Sequence, residues 1–210
     1  MEKHMPNGPY EKYFKRPLDF ICGVVAAILL SWLFLILIIM GIIFMRGNPF
    51  FVQERPGKDE KVFRLIKFRT MDNRKDSTGQ LLPDEVRLNT YGRFLRQTSL
   101  DELPEIFNII KGDMSIIGPR PLLVQYLPLY SREQQHRHDV RPGLSGYAQI
   151  NGRNSISWCE RFELDYKYVN NITFFWDLKI LFKTIEKAFI VRDGISSDSC
   201  DTMEDFDGTN

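Results

Sequence analysis

The stretch that decides the fold is Phe20–Met45, FICGVVAAILLSWLFLILIIMGIIFM, which runs for 26 positions without a charged residue. A helix of about 20 apolar residues crosses the hydrocarbon core of a bilayer, so the length of this run favours a membrane span. The run is longer than the core of a signal peptide, and no A-x-A-like cleavage site closes it. The sequence therefore predicts a membrane-embedded helix near the N-terminus.

Basic residues flank the apolar run on both sides. They are Lys12, Lys15 and Arg16 before it, and Arg46, Arg55, Lys58 and Lys61 after it. Short basic flanks tend to stay cytoplasmic, so charge does not set an orientation here. Two arrangements remain open: a span, or a re-entrant helix with both ends on one side. The run contains no Pro, but Ser31 lies near its middle, where its side chain could satisfy a backbone group freed at a kink.

The composition outside the run is that of an ordinary folded domain. The 210 residues carry a net charge of +1, with 43% hydrophobic and 26% charged residues, which excludes global disorder and gives no support to a nucleic-acid partner. The three cysteines are widely spaced, so neither a disulfide framework nor a zinc site is expected. That cysteine usage agrees with a reducing compartment.

We divide the chain into a basic-aromatic segment 1–19, the membrane helix 20–45, one cytoplasmic domain 46–192 and an acidic tail 193–210. Residues 46–75 hold nine Lys/Arg against four Asp/Glu, which suits anionic membrane lipids or a phosphorylated substrate. The tail carries six acids and no Lys or Arg, so we expect much of it to be mobile.

The domain is predicted to be α+β and mainly helical, with a short β-hairpin. Its strands are Phe50–Gln53 and Val62–Met71, around a turn at Arg55–Lys58. The predicted helices are 84–96, 103–111, 122–138 with one Pro interruption, 157–169 and 173–189. The last of these is amphipathic, and it is expected either to pack in the core or to lie at the membrane interface.

Adjacent carboxylates at Asp101 and Glu102 mark the segment Thr98–Glu105. Pro104 is tolerated only in the first turn of a helix, which makes Asp101 a candidate N-cap, with Ser99 and Glu102 as a capping box. The alternative is chemical. An Asp carboxylate can attack phosphorus, and an adjacent Glu can hold Mg²⁺.

Phosphate chemistry also needs fixed cations. Arg120 is held between two prolines in Gly118–Pro121, and Arg96 lies five residues before Asp101. Turns at Arg141-Pro-Gly and Asn-Gly-Arg153 could aim further guanidinium groups inward, where Arg suits bidentate phosphate contacts. His136 and His138 are two apart and do not share a helix face, so zinc is not expected there. No P-loop or Rossmann glycine pattern is present.

The order of short motifs along the chain resembles that of the bacterial sugar transferases. The motifs, from N- to C-terminus, are KRPLD (15–19), QERPG (53–57), FRLIKFRTM (63–71), SLDEL (99–103), KGDMS (111–115), GPRP (118–121), RPG (141–143) and QINGR (149–153). The likeness covers nearly the whole chain from about Tyr10. In length, the chain is similar to the small monotopic polyprenyl-phosphate phosphoglycosyl transferases, such as the bacillosamine-type enzymes that begin bacterial protein glycosylation.

The resemblance implies a two-step transfer of a sugar phosphate, the first membrane step of glycoconjugate assembly. Asp101 matches the nucleophile, which attacks the β-phosphate of a UDP-sugar and releases UMP. Polyprenyl (undecaprenyl) phosphate then takes the sugar phosphate. Glu102 matches the Mg²⁺-holding position, with Asp101 as a candidate second ligand. Further matching site positions, implied to bind substrate phosphates, are Lys67, Arg96, Arg120, Arg153 and Asp165.

The resemblance also implies a re-entrant helix on the cytoplasmic face of the bacterial inner membrane, with downstream glycosyltransferases as further partners. The family's Ser-Pro bend is Ser31-Trp32 here, so the kink must rest on Ser31 and on packing. Likeness to the small members favours an N-acetylated sugar. Two other functions stay open on the same residues: a membrane-anchored Mg²⁺-dependent nucleotide-sugar phosphohydrolase, and a non-catalytic membrane adaptor.

Overall fold

The computed structural model describes residues 4–6, 8–152, 156–187 and 205–208. Its helices are α1 (Lys15–Leu29), α2 (Ser31–Met45), α3 (Asp84–Arg87), α4 (Thr90–Thr98), α5 (Glu105–Lys111), α6 (Arg132–Gln135), α7 (Tyr147–Asn151), α8 (Trp158–Val169) and α9 (Phe174–Glu186). Its strands are β1 (Phe50–Pro56), β2 (Val62–Phe68), β3 (Ser115–Ile117) and β4 (Gly143–Ser145). The described chain is thus mainly helical, as the sequence predicts, and its few strands are compatible with the α+β class.

The apolar run forms two helices rather than one. Leu30 leaves the helical conformation at φ −95° and ψ 5°, and the segments Tyr10–Leu29 and Ser31–Met45 meet there at a bend of 64°. Within the described residues, neither segment is long and apolar enough by itself to cross a membrane, whereas the bent pair together meets the length and hydropathy criterion. The bend falls beside Ser31, where the sequence places it.

The charged residues of the KRPLD motif attach α1 to three separate elements. Lys15 forms an ion pair with Asp177 of α9. The Arg16 guanidinium donates to the carbonyl oxygens of Ile109 and Ile110 at 2.6 and 2.8 Å, which satisfies the C-terminal end of α5. One turn later the chain buries Asp19 against β3.

Asp19 is the most buried of these three charged residues. Its carboxylate accepts a hydrogen bond from the Ser115 hydroxyl at 2.6 Å and another from the Ile116 backbone N–H at 3.1 Å. The residue is only 5% exposed, so both bonds are shielded from water. The start of the bent helix is therefore joined directly to the strand that leads into Gly118–Pro121.

The second helix of the pair packs its inner side on the domain. Phe34, Leu37 and Met45 are buried with Phe68, Tyr91, Leu95 and Ile106 in one apolar cluster. The Tyr91 hydroxyl donates to the Leu37 carbonyl oxygen at 2.8 Å. Gly41 contacts Pro49 so closely that an added Cβ would lie 2.7 Å from the proline ring. Both ends of the bent pair are thus in contact with the same domain.

Two small sheets set the positions of the basic motifs. Strands β1 and β2 form the predicted antiparallel hairpin, with Phe50 opposite Phe68 and Arg55 opposite Phe63. The predicted ends are wrong: β1 continues through Arg55 to Pro56, so the turn begins at Gly57, and β2 ends at Phe68 instead of Met71. Strands β3 and β4 are parallel, with Ser115 opposite Gly143 and Ile117 opposite Ser145. Gly118 lies so near Arg141 and Gly143 that no side chain fits there, which holds Gly118–Pro121 against β4.

Several predicted elements differ from those observed. The helix expected over 84–96 is split into α3 and α4, because Asn89 ends one segment and caps the next by accepting from the Gly92 N–H at 2.9 Å. The helix expected over 122–138 is wrong. It is a 3₁₀ segment (Val124–Leu129) that contains Pro128, followed by α6 and another 3₁₀ turn, since Ser131 starts a new capping box. Helices α8 and α9 lie within one to three residues of their predicted ends.

The position of Asp101 also differs from the capping interpretation. Asp101 and Glu102 lie in a 3₁₀ turn (Leu100–Glu102) ahead of α5, and in this described part of the chain Pro104 precedes α5 without a side-chain cap. Ser99 adopts a left-handed conformation with φ 55° and forms no side-chain cap either. The capping box is therefore wrong, because Glu102 is turned instead towards Lys67 and Arg120.

We predict that Asp19→Ala destabilises the fold by about 3 kcal/mol, because it removes two hydrogen bonds to a buried charge and leaves the Ile116 N–H without an acceptor. Guanidinium unfolding of the detergent-solubilised protein, followed by circular dichroism, measures this loss. Asp84→Ala is the matched control, since the Asp84 side chain is 66% exposed. Equal unfolding midpoints for the two variants would contradict the assigned role of Asp19.

Candidate active site

A cavity of about 680 Å³ opens between the 3₁₀ turn, β4 and α7–α9. Its lining includes six of the seven site residues that the sequence predicts: Lys67, Arg96, Asp101, Glu102, Arg120 and Asp165. The seventh, Arg153, lies outside the described residues. The cavity has the size that small-molecule sites in proteins usually have. Residues from four distant parts of the sequence therefore meet in one place.

Glu102 is the centre of the charge cluster in this cavity. Its Oε1 accepts from Lys67 Nζ at 2.9 Å and also from Arg120 Nη2. Lys67 lies 3.1 Å from the Oε1 of Glu105, which is 2% exposed. Two carboxylates thus share one lysine, and the arginine held between prolines completes the cluster.

The surroundings of the two adjacent carboxyl groups shift their pKa values in opposite directions. Burial alone would raise the pKa of Glu102, but the positive charges of Arg120 and Lys67 outweigh it and lower that pKa to about 2. Burial, followed by repulsion from Glu102, raises the pKa of Asp101 to about 6. Glu102 is therefore ionised at every physiological pH, whereas Asp101 is a carboxylate of increased basicity at the cavity wall.

Glu105 belongs to the same cluster. Burial, followed by the negative charge of Glu102, raises the pKa of Glu105 to about 7 in spite of Lys67. The side chain is therefore close to its midpoint of ionisation at neutral pH. Glu105 stands in the same segment, Thr98–Glu105, as the acidic pair, so its proximity to the pair could have been read from the sequence.

Arg120 is held from two sides. Its prolines fix the backbone, and its carbonyl oxygen accepts from Arg137 Nη2 at 2.7 Å. Arg137 also pairs with Asp165 at 2.9 Å, and both of these side chains are 2% exposed. Asp165 thus lies at the cavity with a guanidinium partner of its own. Its predicted part in binding substrate phosphates stays a prediction.

Arg96 reaches the cavity from α4. Gly92 on that helix approaches the Thr70 carbonyl so closely that no Cβ could be added, and Arg96 Nε donates to the Thr70 hydroxyl at 3.1 Å. Arg141 does not turn inward as its turn suggested. Its Nε donates instead to the Gly112 carbonyl oxygen at 2.8 Å, at the end of α5.

Sequence reasoning missed two buried arginines at this site. Arg137 lies between the two histidines that drew attention as possible metal ligands, and its role shows only in the fold. Arg161 lines the cavity and lies over the Trp158 ring at 4.8 Å from the ring centroid. Its spacing of four residues from Asp165 on the predicted helix was a usable signal, because residues so spaced share a helix face.

Within the described residues, the donor set suits a magnesium ion whose remaining ligands come from a bound phosphate group. Within the described ranges, no group of three or more His, Cys, Asp or Glu side chains could hold a metal. Asp101 and Glu102 supply hard carboxylate oxygens side by side, and Mg²⁺ is commonly held by one or two carboxylates together with substrate phosphates.

The sequence that supplies this cavity matches a known family. The family described as bacterial sugar transferase matches residues 10–191. The chain belongs to the bacterial sugar transferase family. It is therefore an enzyme, a transferase whose adjacent carboxylates and basic residues line one cavity.

Individual relatives agree with this assignment. An uncharacterized sugar transferase, EpsL of Bacillus subtilis, is 56% identical over 78% of this chain and 81% of its own length. The exopolysaccharide production protein ExoY of Sinorhizobium fredii is 38% identical, over 85% of this chain and 86% of its own. The undecaprenyl-phosphate galactose phosphotransferase of Salmonella typhimurium is 34% identical over 87% of this chain, which spans 42% of that longer relative.

We predict that Glu105→Gln weakens the pH dependence of stability and raises stability at pH 8 by about 2 kcal/mol. The folded-state pKa of Glu105, about 7, exceeds the ordinary value of 4.5. The folded state therefore holds this proton more tightly than the unfolded state, and stability falls as pH rises from about 4.5 to about 7. The glutamine variant lacks this loss.

Unfolding free energies measured at pH 5, 6, 7 and 8 test this expectation. Glu163→Gln on the exposed side of α8 is the control, and its curve should parallel that of the wild type. A fall between pH 5 and pH 7 that is as steep in Glu105→Gln as in the wild type would contradict the assignment.

Proposed function

We propose that this enzyme transfers a sugar 1-phosphate from a UDP-sugar to membrane polyprenyl phosphate through a covalent aspartyl intermediate on Asp101. The observation that carries this proposal is the arrangement of the two adjacent carboxyl groups: Glu102 is ion-paired with Lys67 and Arg120, and Asp101 lines the same cavity beside it. Glu102 is held ionised by two cations, while Asp101 remains a more basic carboxylate at the cavity wall. A nucleophile and a charge-neutralised partner are what phosphoryl substitution on a diphosphate requires.

In the first step, a carboxylate oxygen of Asp101 attacks the β-phosphorus of the donor. A bond forms between that oxygen and phosphorus, the bond from phosphorus to the bridging oxygen breaks, and UMP leaves with the bridging oxygen. In the second step, a phosphate oxygen of the polyprenyl phosphate attacks the same phosphorus. The acyl-phosphate bond breaks, polyprenyl diphosphate-sugar forms, and Asp101 is regenerated as a carboxylate.

The basic residues of the cavity bind and orient the diphosphate. Arg120 and Arg96 present guanidinium groups suited to phosphate oxygens. Lys67 and Arg120 keep Glu102 ionised. Glu102, with Asp101 beside it, would hold Mg²⁺, which when bound offsets the negative charge of the diphosphate. Arg153, in the QINGR motif, is proposed as a further phosphate ligand from the resemblance alone.

The bent helix pair accounts for access to a lipid acceptor. Leu103 and Ile106 line the cavity, and both pack with α2 in the same apolar cluster. The outer side of the pair is strongly apolar and exposed, above all at the bend, where Ile28, Leu29 and Trp32 are more than 60% exposed. We infer that this surface lies in the bilayer and that the cavity opens at the depth of the lipid phosphate.

The contacts at both ends of the pair support a re-entrant arrangement on the cytoplasmic face of the inner membrane. A span would separate the two ends by the hydrocarbon thickness, about 30 Å. Here Lys15 and Asp19 bind α9 and β3, while the Phe44 carbonyl oxygen accepts from Asn89 Nδ2 at 3.1 Å. Contact of both ends with one domain supports their lying on the same side of the membrane.

The names of two relatives bear on what the product of the proposed reaction is used for. One relative is named for exopolysaccharide production and another for transfer of galactose phosphate to undecaprenyl phosphate. These names support polysaccharide assembly as the use of the product, with downstream glycosyltransferases acting on it. For the donor we propose only a class, a UDP-sugar. Likeness to the small members suggests that its sugar is N-acetylated.

We predict that Asp101→Asn lowers UMP release by at least about a thousandfold, because it removes the attacking oxygen. The assay follows UMP from a panel of UDP-sugars that includes UDP-galactose and UDP-N-acetylgalactosamine, with and without polyprenyl phosphate and with a chelator. Asp84→Asn, in the exposed acidic pair Asp84-Glu85, is the matched control and should keep full activity.

The outcomes of this assay separate the three functions. A phosphoglycosyl transferase forms a lipid-linked sugar and stops turning over when the chelator or the lack of acceptor interrupts it. Continuous donor hydrolysis without acceptor would indicate a phosphohydrolase. No UMP release from any donor would indicate an adaptor, and full activity of Asp101→Asn would contradict the nucleophile.

We predict that cysteines introduced as Met5→Cys and Asn48→Cys are labelled from the same side of the membrane. The background carries Ser at positions 22, 159 and 200, and a membrane-impermeant maleimide is added to intact spheroplasts or to inverted vesicles. Met5 and Asn48 are exposed at opposite ends of the bent pair. Labelling in inverted vesicles alone agrees with a re-entrant helix, and labelling from opposite sides would establish a span.

A further inference from the structure

Residues 205–208, near the C-terminus, pack against the domain. Phe206 is 3% exposed. Its ring lies among four aromatic side chains that we call the aromatic box: Tyr126, Tyr130, Trp158 and Phe162. The centroid distances from Phe206 to these rings are 5.7, 5.7, 5.4 and 5.1 Å. The acidic composition of the tail gives no sign of this packing, which depends on Phe206 being buried among four aromatic side chains.

A polar contact fixes the register of the segment on the box. The Tyr126 hydroxyl donates to Asp205 Oδ1 at 2.8 Å. Gly208, at φ 93°, lies against Leu129. A buried ring with a hydrogen-bonded carboxylate beside it is an acidic-aromatic recognition element, since the ring supplies apolar burial and the carboxylate supplies direction.

The far wall of the box is in contact with the charge cluster of the active site. The Tyr130 hydroxyl lies 3.2 Å from Arg137 Nη1, and the Arg137 guanidinium lies 5.5 Å from the Phe162 ring centroid. Arg137 in turn donates to the Arg120 carbonyl oxygen, and Arg120 binds Glu102. A continuous series of contacts thus leads from Phe206 to the phosphate-facing guanidinium.

We propose that Phe206 is a positioning residue: the docked segment Asp205–Gly208 keeps Tyr130 and Arg137 in place, and through them it positions Arg120 for the donor phosphates. Loss of the ring leaves a space beside Tyr130 and Phe162, the two aromatic residues that contact Arg137. The aromatic box is then a binding site for an acidic-aromatic peptide, with this chain's own tail as its occupant. The kinetic half of the inference rests on the proposed function, and the docking half does not.

Docking is tested with the full-length Phe206→Ala chain and a synthetic fluorescent peptide of residues 201–210, DTMEDFDGTN. The peptide should bind to Phe206→Ala at least about tenfold more tightly than to the wild type, whose own segment fills the box. The control peptide has Ala in place of Phe206 and should not bind. Equal binding of the two peptides, or no binding of either, would overturn the docking half.

Positioning is tested by UMP release. In Phe206→Ala, kcat/KM for the UDP-sugar should fall about tenfold, mainly through KM, and saturating peptide should restore it. A structural effect alone would lower the amount of active enzyme and leave KM unchanged. Tyr130→Phe separates the two roles. It removes the hydroxyl that faces Arg137 and keeps the ring, so in a Phe206→Ala background it should bind the peptide without recovery of KM.

The two halves fail separately. Peptide that binds without changing KM would overturn positioning and leave docking in place. Peptide binding is measured without substrate, so a wild-type chain that releases no UMP would overturn the proposed function and the kinetic half together, while docking is decided by the peptide alone.

Discussion

Two carboxyl groups on adjacent residues can line a half-enclosed cavity only if nearby cations offset their charge. Here Lys67 and Arg120 both contact Glu102, and they come from a β-hairpin strand and from a segment stiffened by prolines. These two ion pairs bring the hairpin, the 3₁₀ turn and the segment beside the β3–β4 sheet together at Glu102. They also leave Asp101 as the more basic carboxylate of the two, with a pKa of about 6. The fold around the cavity can be understood as the support for this arrangement of charges.

Individual contacts also connect the two apolar helices to the elements that carry the charge cluster. Asp19 joins α1 to the strand that leads to Arg120, and Ile106 joins α2 to the helix that follows Glu102. A shift of the bent pair relative to the domain would therefore disturb both sides of the charge cluster. The proposed reaction between a water-soluble donor and a lipid phosphate would need this rigidity, because the reacting atoms would have to meet in a fixed arrangement.

The sequence predicted the secondary structure well where a local pattern or a single residue type determines the backbone conformation. The apolar run, the hairpin, α8, α9 and the prolines beside Arg120 all follow from pattern or from fixed backbone angles. Prediction failed where long-range partners decide. Glu102 could have capped α5, but two distant cations bind it instead. Arg137 and Phe206 carry no local signal, because their importance comes from residues 7 to 80 positions away in the chain. The bend beside Ser31 lacks a proline, and the tertiary contacts at both ends of the pair could not be read from the sequence.

The central claim, that Asp101 forms a bond to phosphorus, is tested most directly by intact-protein and peptide mass spectrometry. The enzyme is mixed with an isotopically labelled UDP-sugar in the absence of polyprenyl phosphate and quenched in acid. The account predicts an added mass equal to one sugar phosphate, located on the peptide that contains Asp101 and discharged when polyprenyl phosphate is supplied before quenching. Release of labelled UMP with no added mass, or an adduct on another residue, would contradict it.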